Sequence, residues 1–309
     1  MINGVINVYK EKGYTSHDVV AKLRGILNQR KIGHTGTLDP DAEGVLLICL
    51  GKATKICDML TDYDKVYETV MLLGRATDTQ DISGKVLKSE IPESDSRRIM
   101  DAIDRFVGEY DQIPPMYSAL KVNGKKLYEL ARKGVEVVRK PRRVIIKSIR
   151  VNEINTDEHT VRMTVECSKG TYIRTLCDDI GKFLGCGACM KELKRISVGE
   201  FHISSAVTLG SIQAKQLLGG VCDYIIPIDN IFSNMRKMRA AKAADAALHN
   251  GNSVAASEEF VSPEGETKPY EGEMFRMYDS FGSFTGIYVY NENVLKNVKM
   301  FYDDEDIPV

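Results

Sequence analysis

The segment from Lys31 to Val45 constrains this chain more than any other part of its sequence. It reads Lys-Ile-Gly-His-Thr-Gly-Thr-Leu-Asp-Pro-Asp-Ala-Glu-Gly-Val and runs directly into the apolar stretch Leu46–Leu50. Three glycines allow the backbone to bend sharply and to lie close to a ligand, while Pro40 holds the preceding Asp39 extended. The pattern indicates a loop that presents a carboxylate, although an ordinary solvated loop with a turn at Asp39 has the same composition.

The same residues resemble the catalytic signature of the TruB-type pseudouridine synthases, which modify the T loop of transfer RNA. The match to Gly-His-Thr-Gly-x-Leu-Asp-Pro-x-Ala-x-Gly-Val-Leu is complete from Gly33 to Leu46. Further segments resemble the same family, in the family's order, and the resemblance extends over nearly all of residues 4–201. These segments are Asp64–Gly74 with Thr77–Gly84, Gln112–Gly134, Lys169–Arg174 and Leu193–Phe201.

The resemblance implies an α+β fold, the pseudouridine synthase fold, in which helices flank a central, mixed and mainly antiparallel sheet. Hydrophobic periodicity predicts individual elements along this part of the chain. The predicted strands are Gly4–Tyr9, Asp64–Gly74, Val144–Ile154 and Thr160–Cys167. The predicted helices are Ser16–Asn28, Ser94–Tyr110, Lys125–Lys133, a helix after Gly170 that ends near Leu184, Met190–Ile196 and Ala206–Leu218.

The character of the sequence changes at about Ile231. A basic, alanine-rich segment, Met235–Leu248, is predicted to be helical, and short strands with turn signals follow it, which is typical of a small β-barrel. The order of these elements resembles a shortened PUA domain, an RNA-binding appendage of such enzymes. We therefore expect a pseudouridine synthase catalytic domain at residues 1–230 and a PUA-like domain at residues 231–309.

Charge is distributed unevenly along the chain, although the net charge is only −1. Residues 121–150 hold eleven Lys or Arg and two acids, a net +9, whereas residues 258–309 carry a net −8 and end in Asp303-Asp304-Glu305-Asp306. A basic segment of this kind favours a phosphate-binding face, although a solvated helix is a common alternative.

The composition excludes some compartments and chemistries. The N-terminus lacks a signal-peptide core, and no apolar run approaches the roughly 18 residues of a membrane helix, so we expect a cytoplasmic protein. We also expect it to be a monomer. Seven scattered cysteines suit a reducing compartment, and the single Cys186-x-x-Cys189 is weak evidence for a metal. No Walker or dinucleotide loop is present, so we expect neither a cofactor nor a metal.

Three residues are implied by the resemblance to carry the chemistry. Asp39 is the catalytic carboxylate, acting as nucleophile or charge stabiliser on a flipped-out uridine. Desolvation would raise the pKa of this carboxyl, and the guanidinium of Arg174 would oppose that effect and fix the direction of the carboxylate. Tyr67 is expected to lie against the target base and to exchange a proton with it.

Further residues are expected to contact the RNA. His34 would stack in the gap that the flipped base leaves, and the basic cluster around Arg139–Arg143 would meet phosphates. The expected substrate-binding residues are His34, Thr35, Gly36, Asp81, Lys121, Arg142, Arg143, Tyr172 and Leu193.

Two alternatives to a tRNA isomerase remain. One is the guide-dependent branch of the same superfamily, which works inside a ribonucleoprotein and usually carries lysine-rich tails, unlike this chain. The other is a non-catalytic RNA-binding or RNA-folding protein, which predicts loss of the catalytic Asp, Tyr and Arg. The tRNA enzyme, by contrast, is expected to need the T stem-loop and no obligate protein partner.

Overall fold

The computed structural model describes residues 1–122, 124–257, 261–263 and 268–302. The acidic run Asp303–Asp306 lies outside these ranges. The strands up to residue 202 are β1 (Gly4–Lys10), β2 (Ile32–His34), β3 (Glu43–Leu50), β4 (Lys65–Leu73), β5 (Arg75–Thr77), β6 (Val86–Ser89), β7 (Gly108–Gln112), β8 (Lys121–Val122), β9 (Lys125–Lys126), β10 (Arg142–Asn155), β11 (Thr160–Cys167), β12 (Ala188–Val198) and β13 (Phe201–His202). The α-helices are α1 (Ser16–Ile26), α2 (Cys57–Thr61), α3 (Ser96–Asp104), α4 (Leu127–Ala131), α5 (Ile173–Leu184), α6 (Leu209–Leu217), α7 (Ile228–Ile231) and α8 (Asp245–His249). The remaining strands are β14 (Arg236–Ala240), β15 (Val254–Ala255), β16 (Val261–Pro263), β17 (Met274–Tyr278), β18 (Phe284–Asn291) and β19 (Val294–Met300).

A mixed, mainly antiparallel sheet forms the centre of the molecule, as the sequence predicts. Its order is β1-β3-β12-β4-β11-β10-β7, with β2 paired to β3 and β13 paired to β12. The pairing of β12 with β3 is parallel, and the other pairings in this sheet are antiparallel. Because β12 lies between β4 and β3, it connects the strand that carries Tyr67 to the strand that follows the Asp39 loop.

Helices cover the sheet and bury its apolar side chains. Helix α5 packs on β12 and β4, and α3 packs on α5 and β10, while α1 contacts β2 and α6. One core cluster joins Leu176 of α5 to Tyr67 and Met163 of the sheet. Helix α1 begins with a capping box between Thr15 and Asp18, which satisfies backbone donors at its N-terminus.

The strands after residue 235 form a second sheet, in the order β15-β19-β18-β17-β14-β16. This path is open between β15 and β16 within the described residues, so the sheet is a half-barrel of the PUA-like type rather than a closed barrel. The two sheets share a core, because Ile287 and Phe301 pack in one buried cluster with Val5 and Phe232. No helix in the described ranges is both long enough and apolar enough to cross a bilayer.

Two predicted helices are strands in the structure. Residues 190–196 belong to β12, where pairing with both β3 and β4 decides the conformation. Residues 236–240 form β14, which pairs with β16 and β17, and the helix predicted at Met235–Leu248 is α-helical only where it overlaps α8 (Asp245–His249). The helix predicted at 94–110 is shorter, because it is capped by Asp95 and followed by β7.

Candidate active site

The loop between β2 and β3 presents Asp39 and is tied down on both sides of it. The backbone N–H of Leu38 donates to Ser16 Oγ at 2.9 Å, at the start of α1. On the other side, Lys10 Nζ donates to the carbonyl oxygen of Ala42 at 2.5 Å and to that of Pro40 at 3.2 Å. The position of Asp39 is therefore set by two side chains from elements that precede the loop.

Asp39 and Arg174 form the predicted pair. Arg174 Nε lies 2.9 Å from Asp39 Oδ2, and its Nη2 lies 3.2 Å from Asp39 Oδ1. This two-point contact fixes the plane of the carboxylate as well as its distance. The side chain of Asp39 is 37% exposed and that of Arg174 is 7% exposed, so a substrate can reach the carboxylate while the guanidinium lies beneath it.

The other contacts of Arg174 hold it rigidly. Its Nη2 donates to the carbonyl of Tyr117 at 2.8 Å, and its Nη1 donates to the carbonyl of Thr79 at 3.1 Å. Its Nη1 also lies 3.5 Å from Asp81 Oδ2. Asp81, predicted as a substrate-binding residue, thus lies against Arg174, and its other carboxylate oxygen accepts from Thr79 Oγ1 at 2.7 Å.

Burial and charge act in opposite directions on Asp39. Desolvation raises the pKa of Asp39 above its ordinary value, and the guanidinium of Arg174 is the largest influence that lowers this pKa. Lys10 lowers the pKa of Asp39 further, whereas the nearby carboxylate of Asp81 raises it. Burial also lowers the pKa of Lys10 itself to about 8. The site thus places cations where an ionised Asp39 needs them.

Tyr67 lies on β4, in the same core cluster as Leu38 of the loop, and is 8% exposed. Burial raises the pKa of Tyr67, and the proximity of Asp39 raises this pKa further, whereas Arg195 lowers it. The three predicted catalytic residues are therefore brought to one place by the β2–β3 loop, by β4 and by the first turn of α5.

The residues predicted around the loop lie beside this place. His34 ends β2, and its Nδ1 donates to the carbonyl of Gly36 at 2.9 Å, which leaves its Nε2 as an acceptor. Burial lowers the pKa of His34 and so favours the neutral ring. Thr35 is buried, and its carbonyl accepts from Thr61 Oγ1 at 3.2 Å, so its side chain has little access to a substrate.

Tyr172 and Leu193 come from two other elements, α5 and β12. Tyr172 is the N-cap of α5, and Gln112 holds its backbone by accepting from its N–H at 2.8 Å and donating to its carbonyl at 3.0 Å. Burial raises the pKa of the Tyr172 phenol, to which Asp39 also contributes, so the two side chains are close. Leu193 lies on β12 and packs partly buried against the cluster that contains Tyr67.

The three predicted basic contacts differ in their surroundings. Lys121 is exposed on β8, and Arg142 is exposed at the start of β10, where its charge lowers the pKa of Tyr172. Arg143 is also exposed, but its guanidinium already pairs with Asp111 at 3.1 Å and with Glu109 at 3.2 Å. Arg142 is therefore better placed than Arg143 to meet a phosphate.

Sequence reasoning missed three residues that shape the site: Lys10, Gln112 and Arg195. Lys10 is fully buried, and Arg195 is 2% exposed. For Lys10 the available signal was a charged residue at the end of an apolar strand. For Arg195 the signal was hidden because residues 190–196 read as a helix, on which a basic residue has no special meaning.

No group of three or more His, Cys, Asp or Glu side chains in the described part of the chain could hold a metal ion. Cys186 and Cys189 are both buried free thiols. The site therefore consists of the paired carboxylate and guanidinium, the buried phenol and the surrounding polar and basic groups.

Two family models match the chain in succession. The model described as TruB family pseudouridylate synthase (N terminal domain) matches residues 24–173, and the model of the tRNA pseudouridylate synthase B C-terminal domain matches residues 174–233. Proteins named tRNA pseudouridine synthase B are similar over nearly the whole length. That of Lachnoclostridium phytofermentans is 50% identical over 97% of this chain and 100% of the relative, and that of Clostridium kluyveri is 41% identical over the same shares.

Solved structures show the same fold. A protein in the crystal structure of a Cbf5-Nop10-Gar1 complex superimposes with a TM-score of 0.73 at 27% identity, over 98% of this chain and 86% of that one. A chain in an H/ACA RNP bound to a substrate RNA gives a TM-score of 0.71 at 25% identity, over 99% of this chain and 87% of that one. On the family models, the full-length relatives and this fold, the chain belongs to the TruB family of pseudouridylate synthases.

Proposed function

We propose that this protein isomerises uridine to pseudouridine in the T loop of tRNA, at position 55, in the cytoplasm. The observation that carries the proposal is the two-point pair of Asp39 with the buried Arg174, beside the phenol of Tyr67. The relatives at 41–50% identity are named for tRNA, which supports tRNA as the substrate.

The reaction needs a positioned carboxylate and a protected cleft. The bond between N1 of uracil and C1′ of the ribose breaks, the base turns, and a bond forms between C5 and C1′. C5 then loses its proton, and N1 carries one. Atoms and electrons balance without an oxidant or a reductant, so the chain's own residues suffice for the chemistry.

We assign the three central residues as follows. Asp39 acts as the nucleophile or stabilises the positive charge that develops when the glycosidic bond breaks. Arg174 keeps this carboxylate ionised and oriented, because it opposes the rise in pKa that burial causes. Tyr67 stacks against the uracil and exchanges a proton during the reaction.

The remaining predicted residues are proposed to bind the RNA. Flipping the uridine out costs a few kcal/mol of stacking, and His34 at the edge of the loop is placed to compensate for part of it. Gly36, Tyr172 and Leu193 would line the base pocket, and Asp81 would support Arg174 or contact the substrate. Thr35 would position the loop backbone, and Lys121, Arg142 and Arg143 would meet phosphates.

The domain organisation is proposed on the same basis. All strands of the main sheet precede residue 230, and the second sheet begins at Arg236, which supports a catalytic domain at 1–230 and a PUA-like RNA-binding domain at 231–309. We propose a monomer that needs no protein partner and no cofactor.

A guide-dependent enzyme is the second candidate, because similar chains occur in the Cbf5 and H/ACA complexes. Identity favours the first candidate, since those chains are 25–27% identical and the tRNA-named relatives 41–50%. A non-catalytic RNA-binding protein is disfavoured because the Asp, Tyr and Arg set is complete.

Release of tritium from RNA labelled at uracil C5 tests the proposal. The purified chain alone, without guide RNA, is expected to release tritium from an unmodified tRNA. It is expected to release none from the same tRNA in which the T-loop uridine is replaced by cytidine. Release that appears only after a guide RNA or a protein complex is added would favour the second candidate instead.

A further inference from the structure

Arg195 is a buried arginine at the junction of three catalytic elements. It lies on β12, opposite Tyr67 of β4 on one side and opposite Gly44 of β3 on the other. Side chains of directly opposed residues on antiparallel strands project to the same face of a sheet, so Arg195 and Tyr67 are neighbours. Arg195 is 2% exposed, so its guanidinium is shielded from solvent.

The guanidinium of Arg195 is held from the side of the Asp39 loop. Its Nε donates to the carbonyl oxygen of Val45 at 2.7 Å, on the strand that follows the loop. Its Nη1 would lie 3.6 Å from a Cβ atom at Gly36, so the guanidinium also reaches the loop backbone. On the opposite side, Arg195 is the direct cross-strand neighbour of Tyr67, close enough for its charge to lower the pKa of the phenol.

Arg195 has no carboxylate partner in the described part of the chain within the 4.0 Å that defines an ion pair. A buried cation without a counterion is costly, and burial of such a group normally needs compensating hydrogen bonds. The carbonyl oxygen of Val45 supplies one of them. The arrangement is unusual for a residue that only fills space, since an apolar side chain would pack there without this cost.

We propose that Arg195 is a positioning residue for the isomerisation: its guanidinium bridges the backbone at Val45 to the phenolic oxygen of Tyr67 and so fixes the hydroxyl for proton exchange with the uracil. The proposal rests on the proposed function, because it assigns a partner to Tyr67 in that reaction. The fork of the guanidinium is essential to this role, since one donor holds the strand at Val45 and leaves others to bind the phenol.

The surrounding charges are consistent with this role. Tyr67 is faced by Arg195 from β12, by Asp39 from the loop and by Cys167 from β11, and of these groups only Arg195 lowers the pKa of Tyr67. Arg195 is in turn close enough to lower the pKa values of Lys10, Lys65 and His34. Loss of Arg195 would therefore leave Tyr67 facing only groups that raise its pKa.

A double-mutant cycle with Tyr67→Phe tests the proposal under single-turnover conditions on the T-loop RNA. Arg195→Met and Arg195→Lys are each expected to slow turnover about 10- to 100-fold without a comparable change in RNA affinity. In the Tyr67→Phe background the same substitutions are expected to slow turnover by a further factor of less than about three, because the phenolic partner is already absent. Lys194→Met is the matched control, since Lys194 is the neighbouring residue on β12 and pairs outward with Glu43 at 2.8 Å.

A second measurement needs no turnover. The protein is labelled with 3-fluorotyrosine, and the fluorine resonance of residue 67 is identified by its loss in Tyr67→Phe. Its titration midpoint is expected to move to higher pH in Arg195→Met and to stay unchanged in Lys194→Met.

These outcomes separate the inference from the proposed function. The role of Arg195 would be overturned if its substitutions slowed turnover by the same factor with Tyr67 and with Phe at position 67. Wild-type turnover in Arg195→Lys, or an unchanged fluorotyrosine titration midpoint in Arg195→Met, would also overturn it. If the wild-type protein releases no tritium, the proposed function fails, and the fluorotyrosine titration still decides whether Arg195 acts on Tyr67.

Discussion

At Asp39, burial and ion pairing oppose each other on a single carboxylate. Burial raises the pKa of Asp39, and the two-point contact with Arg174 limits that rise. The same contact sets the direction of the carboxylate, which a point charge on a flexible stem cannot do as well. The geometry of the guanidinium therefore contributes beyond its charge.

We expect Arg174→Lys to slow single-turnover tritium release at least about 100-fold, because the lysine keeps the charge and loses the two-point geometry. Arg174→Gln removes the charge that lowers the pKa of Asp39, so the acid limb of its pH–rate profile is expected to move to higher pH. The sign follows because an Asp39 with a higher pKa is protonated at a higher pH. Arg162→Lys, at an exposed arginine of β11, is the control, and near-normal turnover in Arg174→Lys would refute the pairing argument.

At the scale of elements, the close approach of β3 to β12 depends on one glycine. At Gly44 the backbone adopts a φ of +109°, and a Cβ there would lie 2.2 Å from the carbonyl oxygen of Arg195. No side chain fits in that space, so glycine is required for β3 to lie against β12. The loop that carries Asp39 is positioned by this contact.

A pair of glycine substitutions separates backbone strain from steric overlap. Gly108 has a φ of +106° and nothing within 4 Å of a Cβ, so Gly108→Ala should cost about 1 kcal/mol of unfolding free energy through strain alone. Gly44→Ala should cost about 1–3 kcal/mol more, because Arg195 must move. Urea denaturation of both variants measures the difference in unfolding free energy. Equal losses in the two variants would show that β3 and β12 can move apart at Gly44 without a measurable cost.

The sequence predicted the motif-bearing residues better than the elements that carry them. Asp39, Tyr67 and Arg174 were identified from their motifs, and the structure brings them together as expected, while their catalytic roles stay predictions. Residues 190–196 were wrongly predicted as a helix because Met190, Leu193 and Ile196 have helical spacing. Register shifts after Met190 and after Arg195 interrupt the alternation that marks a strand, so only pairing with neighbouring strands reveals β12.

At the scale of the whole molecule, the two sheets share one buried cluster, and the charge is concentrated on particular segments. Ile287 of β18 and Phe301, which follows β19, pack with strand residues of the first sheet such as Val5, so the C-terminal part contributes to a common core. The basic residues of 121–150 are partly neutralised in the folded protein, as Arg143 is by Asp111 and Glu109. We expect exposed basic residues of this segment such as Lys121 and Arg142, more than Arg143, to displace counterions from RNA.

The salt dependence of RNA binding tests this distribution. Arg142→Ala and Lys121→Ala are each expected to reduce the slope of log affinity against log salt concentration by about 1. Arg143→Ala is expected to change the slope less, because its charge is already balanced by two carboxylates. Slopes unchanged in both Arg142→Ala and Lys121→Ala would place the phosphate contacts elsewhere on the molecule.

The most direct test of the central claim compares wild type with Asp39→Asn, with tritium release and RNA affinity measured on the same preparations. Asparagine keeps the size of the side chain and removes the charge, so the variant is expected to bind the T-loop RNA within about threefold of wild type and to release no tritium above background. Release by Asp39→Asn at a rate within about tenfold of wild type would contradict the account, because the ionised carboxylate beside Arg174 would then not drive the reaction.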